Sequence, residues 1–154
     1  MLLCPDTGPL LVLARIGRLD LLGPDIALVD SVLHECTVRS DDAAHAILRL
    51  ADVHGTVAAL HQTTFPARLG PGESAVLSWA RAHGTDVVCV FDDRAARTAA
   101  RSLSLRVTGT LGLLMKAKID GQLDMLRPWL AQALGAGLYL DKPTVERALS
   151  AVGE

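Results

Sequence analysis

The clearest fold signal in this chain is the stretch VVCVFDDRAARTAARSL, residues 87–103. Its first five residues are apolar and mostly β-branched, which predicts a buried strand over residues 87–91. Two aspartates follow at once, and alanines then recur at helical spacing, so we expect Asp92 or Asp93 to cap a helix that runs through Leu103. A buried strand that leads directly into a helix is typical of α/β proteins with a parallel sheet.

The same alternation of strand and helix signals extends in both directions. Further strands are expected over residues 2–5, 26–29 and 105–107, with 56–60 as a weaker candidate, a short extended piece at 138–140 and an exposed loop over 63–72. Helices are expected over 9–16, from 30 or 31 through 35, from 41 or 42 to 54, over 73–83 and 111–119, from 124 to 135, and from 141 to 153. The pattern predicts one three-layer α/β/α domain over residues 1–154 with a mostly parallel central sheet.

Composition sets limits on function. The chain has 154 residues, of which 50% are hydrophobic, 3% aromatic and 21% charged, and its net charge is −2. A general basic coat for nucleic acid is absent, so a nucleic-acid ligand would need a local site. Three cysteines without a CxxC pair favour a reducing compartment, and we expect a cytoplasmic protein. No apolar run reaches transmembrane length, and the N-terminus lacks a basic signal-peptide region.

Four separated carboxylates lie next to apolar runs: Asp6 after MLLCP, Glu35 in VLHEC, Glu73 before SAVLSWA and Asp92 after VVCVF. The carboxyl ends of parallel strands meet at one edge of an α/β sheet, where ligands bind, so these acids are expected to converge. Carboxylates without histidine suit Mg²⁺ or Mn²⁺. The pattern predicts a divalent-metal site that acts on phosphate groups.

Two neighbouring features are candidates for phosphate binding. Arg94, Arg97 and Arg101 are spaced by three and four residues, so they share one helix face beside Asp92. Thr108 and Thr110 flank a glycine just before a predicted helix, where backbone N–H groups can meet an anion. The alternatives remain open: the arginines form a solvated face, and Thr110 is a helix N-cap.

These stretches carry a resemblance to a known family. The sequences DTGPLLVLARIGRLDLL (6–22), VLHEC (32–36), the segment 69–103, VTGTLGLLMKAKIDG (107–121) and GLYLDKPTVERALSAVGE (137–154) together resemble a PIN domain. This is the metal-dependent ribonuclease fold of VapC-type toxins, and the chain is most similar to a PIN-like subgroup without an assigned function. The most specific part of the likeness is the pairing of DTGPL with FDDRAAR and VTGTLG.

The resemblance implies a role for each acid. Asp6 matches the family's aspartate after the first strand, Glu35 its helix-borne glutamate, and Asp92 the aspartate after a later strand. Glu73 stands where PIN nucleases usually have an aspartate, and its side chain is one methylene longer. The implied activity is hydrolysis of RNA with Mg²⁺ or Mn²⁺, as the toxin of a toxin–antitoxin pair, with an antitoxin protein and a second copy of the chain as partners.

Other interpretations of the same residues remain. Asp6, Asp92 and Asp93 also suit helix N-caps, Glu73 a residue facing the helix dipole and Glu35 a solvated helix position. A PIN-like module with weak catalysis that acts by binding a partner protein is the main rival function. A metal-dependent phosphatase acting on small substrates is a third.

Overall fold

Three apolar segments form a parallel sheet in the order β1 (Leu2–Pro5), β2 (Val87–Val90) and β3 (Arg106–Thr108). The register pairs Pro5 with Val90 and Val90 with Thr108, so the three carboxyl ends lie side by side. The computed structural model describes residues 1–60, 65 and 68–154. The residues that follow the strands, Asp6, Asp92 and Gly109, therefore start from one edge of the sheet.

Helices connect and cover the strands. In the described residues they are α1 (Thr7–Arg15), α2 (Asp30–Thr37), α3 (Asp42–His54), α4 (Pro71–His83), α5 (Arg94–Ser102), α6 (Thr110–Ile119), α7 (Leu126–Gly135) and α8 (Lys142–Ala151), with a 3₁₀-helix at Leu19–Leu22. This arrangement confirms the predicted α/β class with a parallel sheet. No helix in residues 1–60 and 68–154 has both the length and the apolarity needed to cross a bilayer.

Local cap chemistry explains several of the helix starts. The side chains of Asp41, Asp93 and Asp141 accept hydrogen bonds from the backbone N–H three residues later, at 2.9, 2.9 and 2.8 Å. Each bond satisfies one of the free N–H groups in the first turn. Of the two aspartates after β2, Asp93 is therefore the cap, which leaves Asp92 free for other contacts.

The structure departs from the expected elements in four places. Residues 26–29 and 56–60 form no continuous strand, because Ile26 bridges to Leu3 while Val29 bridges to Val57, so the segment changes partner before a ladder can form. The loop expected over 63–72 lies partly outside the described residues, and its last two residues already belong to α4. Met125, rather than Asp124, precedes α7. Residues 138–140 are irregular.

The buried apolar residues form two clusters. The larger one surrounds the sheet and includes Phe91, which is fully buried behind the carboxyl edge. The smaller one is built from α6, α7 and α8 with Val12 of α1. The helices that begin at the carboxyl edge, α1, α5 and α6, all contribute residues to these clusters.

Candidate metal centre

Asp6 lies where β1 ends and α1 begins. Its side chain occupies the N-cap position but accepts no capping hydrogen bond. It is only 8% exposed, and its Oδ1 is buried without a hydrogen-bond partner in the described part of the chain. An unpaired buried carboxylate oxygen is costly. Oδ1 is therefore the atom at this edge best suited to meet a cation.

Glu35, on α2, reaches the same place and is held by two donors. Thr7 Oγ1 donates to Oε2 at 2.6 Å, and the Gly72 N–H donates to Oε1 at 2.9 Å. These bonds tie the start of α1 and the start of α4 to one carboxylate. Its orientation is therefore set by a side-chain hydroxyl of α1 and a backbone N–H of α4 rather than by its own rotamer preference.

Gly72 leaves the space that the carboxylates of Glu35 and Asp6 occupy. A Cβ at this position would lie 2.7 Å from Glu35 Oε2 and 3.1 Å from Asp6 Oδ1, both shorter than an ordinary contact. Gly72 is buried in the first turn of α4, where its backbone N–H faces the carboxylates. Sequence reasoning missed this residue; the only signal was the Pro-Gly pair directly before Glu73.

Glu73 stands one residue further along the first turn of α4. Its Oε2 accepts a hydrogen bond from the Gly70 N–H at 2.7 Å, which closes the turn that leads into the helix. Because Gly70 has no side chain, this is the only side-chain cap of the helix. Glu73 therefore lies in the first turn of α4, as expected of a residue that faces the helix dipole, and it also lines the acid cleft.

Asp92 is oriented by the strand end across from it. The Thr110 N–H donates to Asp92 Oδ1 and the Thr110 hydroxyl donates to Oδ2, both at 2.7 Å. Thr110 is fully buried, so its polar groups are directed to this carboxylate and not to solvent. Gly109 provides the space, since a Cβ there would lie 2.9 Å from Asp92 Oδ1.

All four acids line one cleft of about 410 Å³, whose walls also include Thr7, Gly72 and Asp93. Burial, reinforced by the charges of Glu73, Glu35 and Asp92, raises the pKa of Asp6 to about 7. Burial also raises the pKa of Asp92, although the two hydrogen bonds from Thr110 and the charge of Arg97 oppose the rise. Crowded, partly desolvated carboxylates of this kind favour a cation or a proton.

The donor chemistry of the cleft fits a hard divalent cation. Glu35, Glu73 and Asp92 are turned toward protein donors, and the described residues contain no group of three acidic, histidine or cysteine side chains already arranged around one ion. A carboxylate has about four lone-pair positions, so a single hydrogen bond on an oxygen leaves room for a cation. Asp6 Oδ1, which has no donor, is the natural first ligand.

The three arginines of α5 do not share one environment. Arg94 and Arg101 are exposed, whereas Arg97 is half-buried and its Nη1 donates to the Phe91 carbonyl at 3.2 Å. Burial and the nearby Arg101 lower the pKa of Arg97, while Asp92 acts in the opposite direction. Arg97 therefore supports the end of β2, and the two exposed arginines remain the candidates for phosphate.

These arginines line a second, open groove of about 880 Å³. Asp92 and Asp93 belong to both cavities, so the groove continues from the acid cleft. Thr108 lies in the groove wall, whereas Thr110 does not and is placed beneath Asp92. Thr110 thus positions a carboxylate, and the substrate contact expected of it stays a prediction.

A parallel sheet with acidic residues at its carboxyl edge agrees with an α/β fold of PIN type. A family model described as a PIN domain matches residues 3–154, and the chain belongs to this family. The fold is similar to that of a PilT N-terminus domain protein, SSO1118, from the hyperthermophilic archaeon Sulfolobus solfataricus P2, with a TM-score of 0.58 and 16% identity over 76% of this chain and 93% of that one. A search of curated proteins gives no match.

Proposed function

We propose that this PIN domain is a divalent-metal-dependent ribonuclease that hydrolyses phosphodiester bonds. The observation that carries the proposal is Asp6 Oδ1, a buried acceptor without a donor in a cleft lined by four acids. When bound there, Mg²⁺ or Mn²⁺ supplies Lewis-acid activation of water and neutralises charge on the phosphate. The choice of RNA over DNA follows from the family and from no individual residue.

The four acids of the cleft have different roles in binding the ion. Asp6 holds the ion directly. Asp92, fixed by Thr110, holds it from the neighbouring strand. Glu35 and Glu73 would complete the ligand shell or hold its waters, with Glu35 fixed through both oxygens by Thr7 and Gly72 and Glu73 fixed through one oxygen by Gly70. Because hydrogen bonds from the protein fix these carboxylates, little reorganisation is needed during the reaction.

The deciding experiment measures cleavage of a labelled single-stranded RNA in Mn²⁺ and in EDTA. We expect metal-dependent cleavage by the wild type and loss of both cleavage and Mn²⁺ binding in Asp6→Asn. Asp52→Asn, which removes an exposed acid on α3 outside the cleft, is the matched control and is expected to behave like the wild type. Full activity of Asp6→Asn would overturn the metal site. Turnover of mononucleotides without cleavage of RNA would indicate a phosphatase instead.

A more specific proposal is that this ribonuclease is a toxin whose partner is an antitoxin protein. It is supported by a cavity of about 740 Å³ between α4 and α5, lined by apolar residues that include Leu69, Ala99 and Leu103 and by Arg68, Arg81, Arg94 and Asp93. A cavity of this kind suits an acidic and apolar protein segment. If expression of the wild type arrests growth and Asp6→Asn does not, the toxin role is supported. If both arrest growth equally, the chain acts instead as a binding module.

Self-association is also part of the proposal. A homodimer would bring two copies of the arginine groove together and so extend the basic surface of a chain whose net charge is −2. Light scattering after size exclusion measures the mass in solution. A monomer at all concentrations would remove this part and leave the metal site unaffected.

A further inference from the structure

Tyr139 differs from every other aromatic residue of the chain. The sequence contains two Trp, two Phe and one Tyr. Phe91 and Trp79 are buried, and Phe65 and Trp129 pack against the two apolar clusters. Tyr139 is 88% exposed. Its ring is thus the one aromatic surface offered almost entirely to solvent.

The backbone that carries Tyr139 is held on both sides. Leu138 is buried, and its N–H donates to the Ala133 carbonyl at 3.0 Å. Asp141, two residues after Tyr139, caps α8. On the preceding turn, Arg15 of α1 donates to the Ala136 carbonyl at 2.9 Å. The exposed ring therefore stands on a fixed segment and not on a free end.

This segment forms one wall of the groove that continues from the acid cleft. The same groove is lined by Arg94, Arg97 and Arg101, and Asp92 lines both the groove and the cleft. The groove thus combines guanidinium groups, an exposed aromatic face and a connection to the carboxylates. Positive charge for a backbone together with aromatic faces for bases is the combination that binds single-stranded nucleic acid.

We propose that Tyr139 is a base-stacking residue that selects a single-stranded substrate. The inference rests on the nuclease function proposed above and names a determinant of its substrate class. A strand with a phosphate at the acid cleft runs between Arg94 and Arg101 on one side and Tyr139 on the other, and an unpaired base lies against the ring. In a duplex both faces of each base are already stacked, so the ring finds no partner.

The test compares binding of two fluorescein-labelled strands of equal length, an oligouridine RNA and an abasic phosphodiester strand, by fluorescence anisotropy at low salt with Ca²⁺ in place of Mn²⁺. The variants are Tyr139→Ala and Tyr139→Phe, with Val53→Ala as control because Val53 is another exposed apolar residue, 78% exposed, on α3. Stacking of one base corresponds to roughly tenfold in affinity. We expect Tyr139→Ala to weaken binding of the oligouridine about tenfold and Tyr139→Phe and Val53→Ala to leave it unchanged. The abasic strand should bind equally to all four proteins.

Three outcomes overturn the assignment. One is equal affinity of Tyr139→Ala and wild type for the oligouridine. Another is an equal loss for both strands, which would make Tyr139 a general contact. The third is unchanged RNA binding with a changed molecular mass, which would make the ring a contact between protein chains. If the wild type cleaves RNA in Mn²⁺ while one of these outcomes holds, only the stacking role fails. If it neither binds nor cleaves RNA, the nuclease proposal fails as well.

Discussion

At the scale of single residues, the buried position of Asp6 determines the electrostatics of the cleft. Its carboxylate is buried, has one oxygen without a donor and is surrounded by three other acids. Both burial and repulsion penalise the charged form. A protein without a cation at this point therefore carries an electrostatic cost that a substitution can remove.

The first prediction concerns the pH dependence of stability in Asp6→Asn. Because burial raises the pKa of Asp6 in the folded protein to about 7, against its ordinary value of 3.8, the carboxyl group contributes stability that is complete below the unfolded value and is lost as pH rises through about 7. In EDTA, the free energy of unfolding of the wild type should fall between about pH 4 and pH 7. Asp6→Asn should show a smaller fall, to which the raised pKa of Asp92 still contributes. It should be the more stable protein at about pH 8, by a few kcal/mol at most, since one pKa unit is about 1.4 kcal/mol.

Urea unfolding at several pH values measures the effect, with Asp52→Asn as the control. The same pH slope in Asp6→Asn and wild type would contradict the assigned pKa.

The second prediction concerns Gly72→Ala. Alanine is preferred over glycine in a helix by up to about 1 kcal/mol, so the helix itself tolerates the change. Its Cβ would lie 2.7 Å from Glu35 Oε2, however, and the carboxylate must turn away from the Gly72 N–H. We expect Mn²⁺ affinity and RNA cleavage to fall by at least about tenfold, which corresponds to about 1.4 kcal/mol.

Gly135→Ala is the matched control, because Gly135 is also helical and a Cβ there meets no atom within 4 Å. Titration with Mn²⁺ and a cleavage assay compare the two variants. Equal behaviour of both would show that Glu35 does not need its present orientation.

At the scale of secondary-structure elements, the ends of β2 and β3 act together. The register places Val90 opposite Thr108, and Phe91 N–H continues the pairing to the Thr108 carbonyl at 2.9 Å. Thr110 at the start of α6 consequently meets Asp92 at the start of the loop before α5. Neither element alone orients the carboxylate.

The third prediction concerns Thr110→Val, which keeps the shape of the side chain and removes the hydroxyl donor to Asp92 Oδ2. A hydrogen bond to a charged group is worth about 1.5–3 kcal/mol. Since this bond holds the pKa of Asp92 down, its loss should raise that pKa further. Asp92 must be ionised to bind a cation, so the acidic limb of the pH–rate profile should move to higher pH. Thr110→Ser should restore the wild-type profile, and an unshifted limb in Thr110→Val would speak against Asp92 as a ligand.

At the scale of the whole molecule, charge is distributed unevenly. The net charge of −2 gives no overall attraction for nucleic acid, and the acid cleft repels phosphate until a cation is present. The groove beside it carries the guanidinium groups of α5. Binding of RNA should therefore depend on this local strip of positive charge.

The fourth prediction concerns the salt dependence of RNA binding by the double variant Arg94→Ala/Arg101→Ala. Arg97 is left in place because it supports the Phe91 carbonyl. Each phosphate contact to a single strand contributes about 0.7 to the slope of log K against log salt, so the slope should decrease in magnitude by about 1.4. Arg39→Ala/Arg49→Ala removes two exposed arginines from the α2–α3 region and leaves the same net charge. An equal change of slope in both double variants would make the effect one of total charge.

Much of the fold was predictable from the sequence because its signals are local. The apolar run at 87–91 predicted β2, an aspartate at 41 or 42 predicted the start of α3, and the aspartate at 141 predicted the start of α8. Cap chemistry and periodicity act within a few residues, so a single sequence displays them. The presence of acids after buried strands likewise pointed to the carboxyl edge of a parallel sheet. The irregular course of residues 26–29 was not foreseen, because partner exchange between strands leaves no local pattern.

The sequence by itself determined which elements form and which carboxylates are available at their ends. Only the tertiary structure decided that Asp92 faces Thr110, that Gly72 leaves room for Glu35, and that Tyr139 lines the same groove as Arg101. The first two contacts join residues 18 and 37 positions apart in the chain. Their geometry depends on the register of parallel strands and on helix packing, which residue order alone does not encode locally.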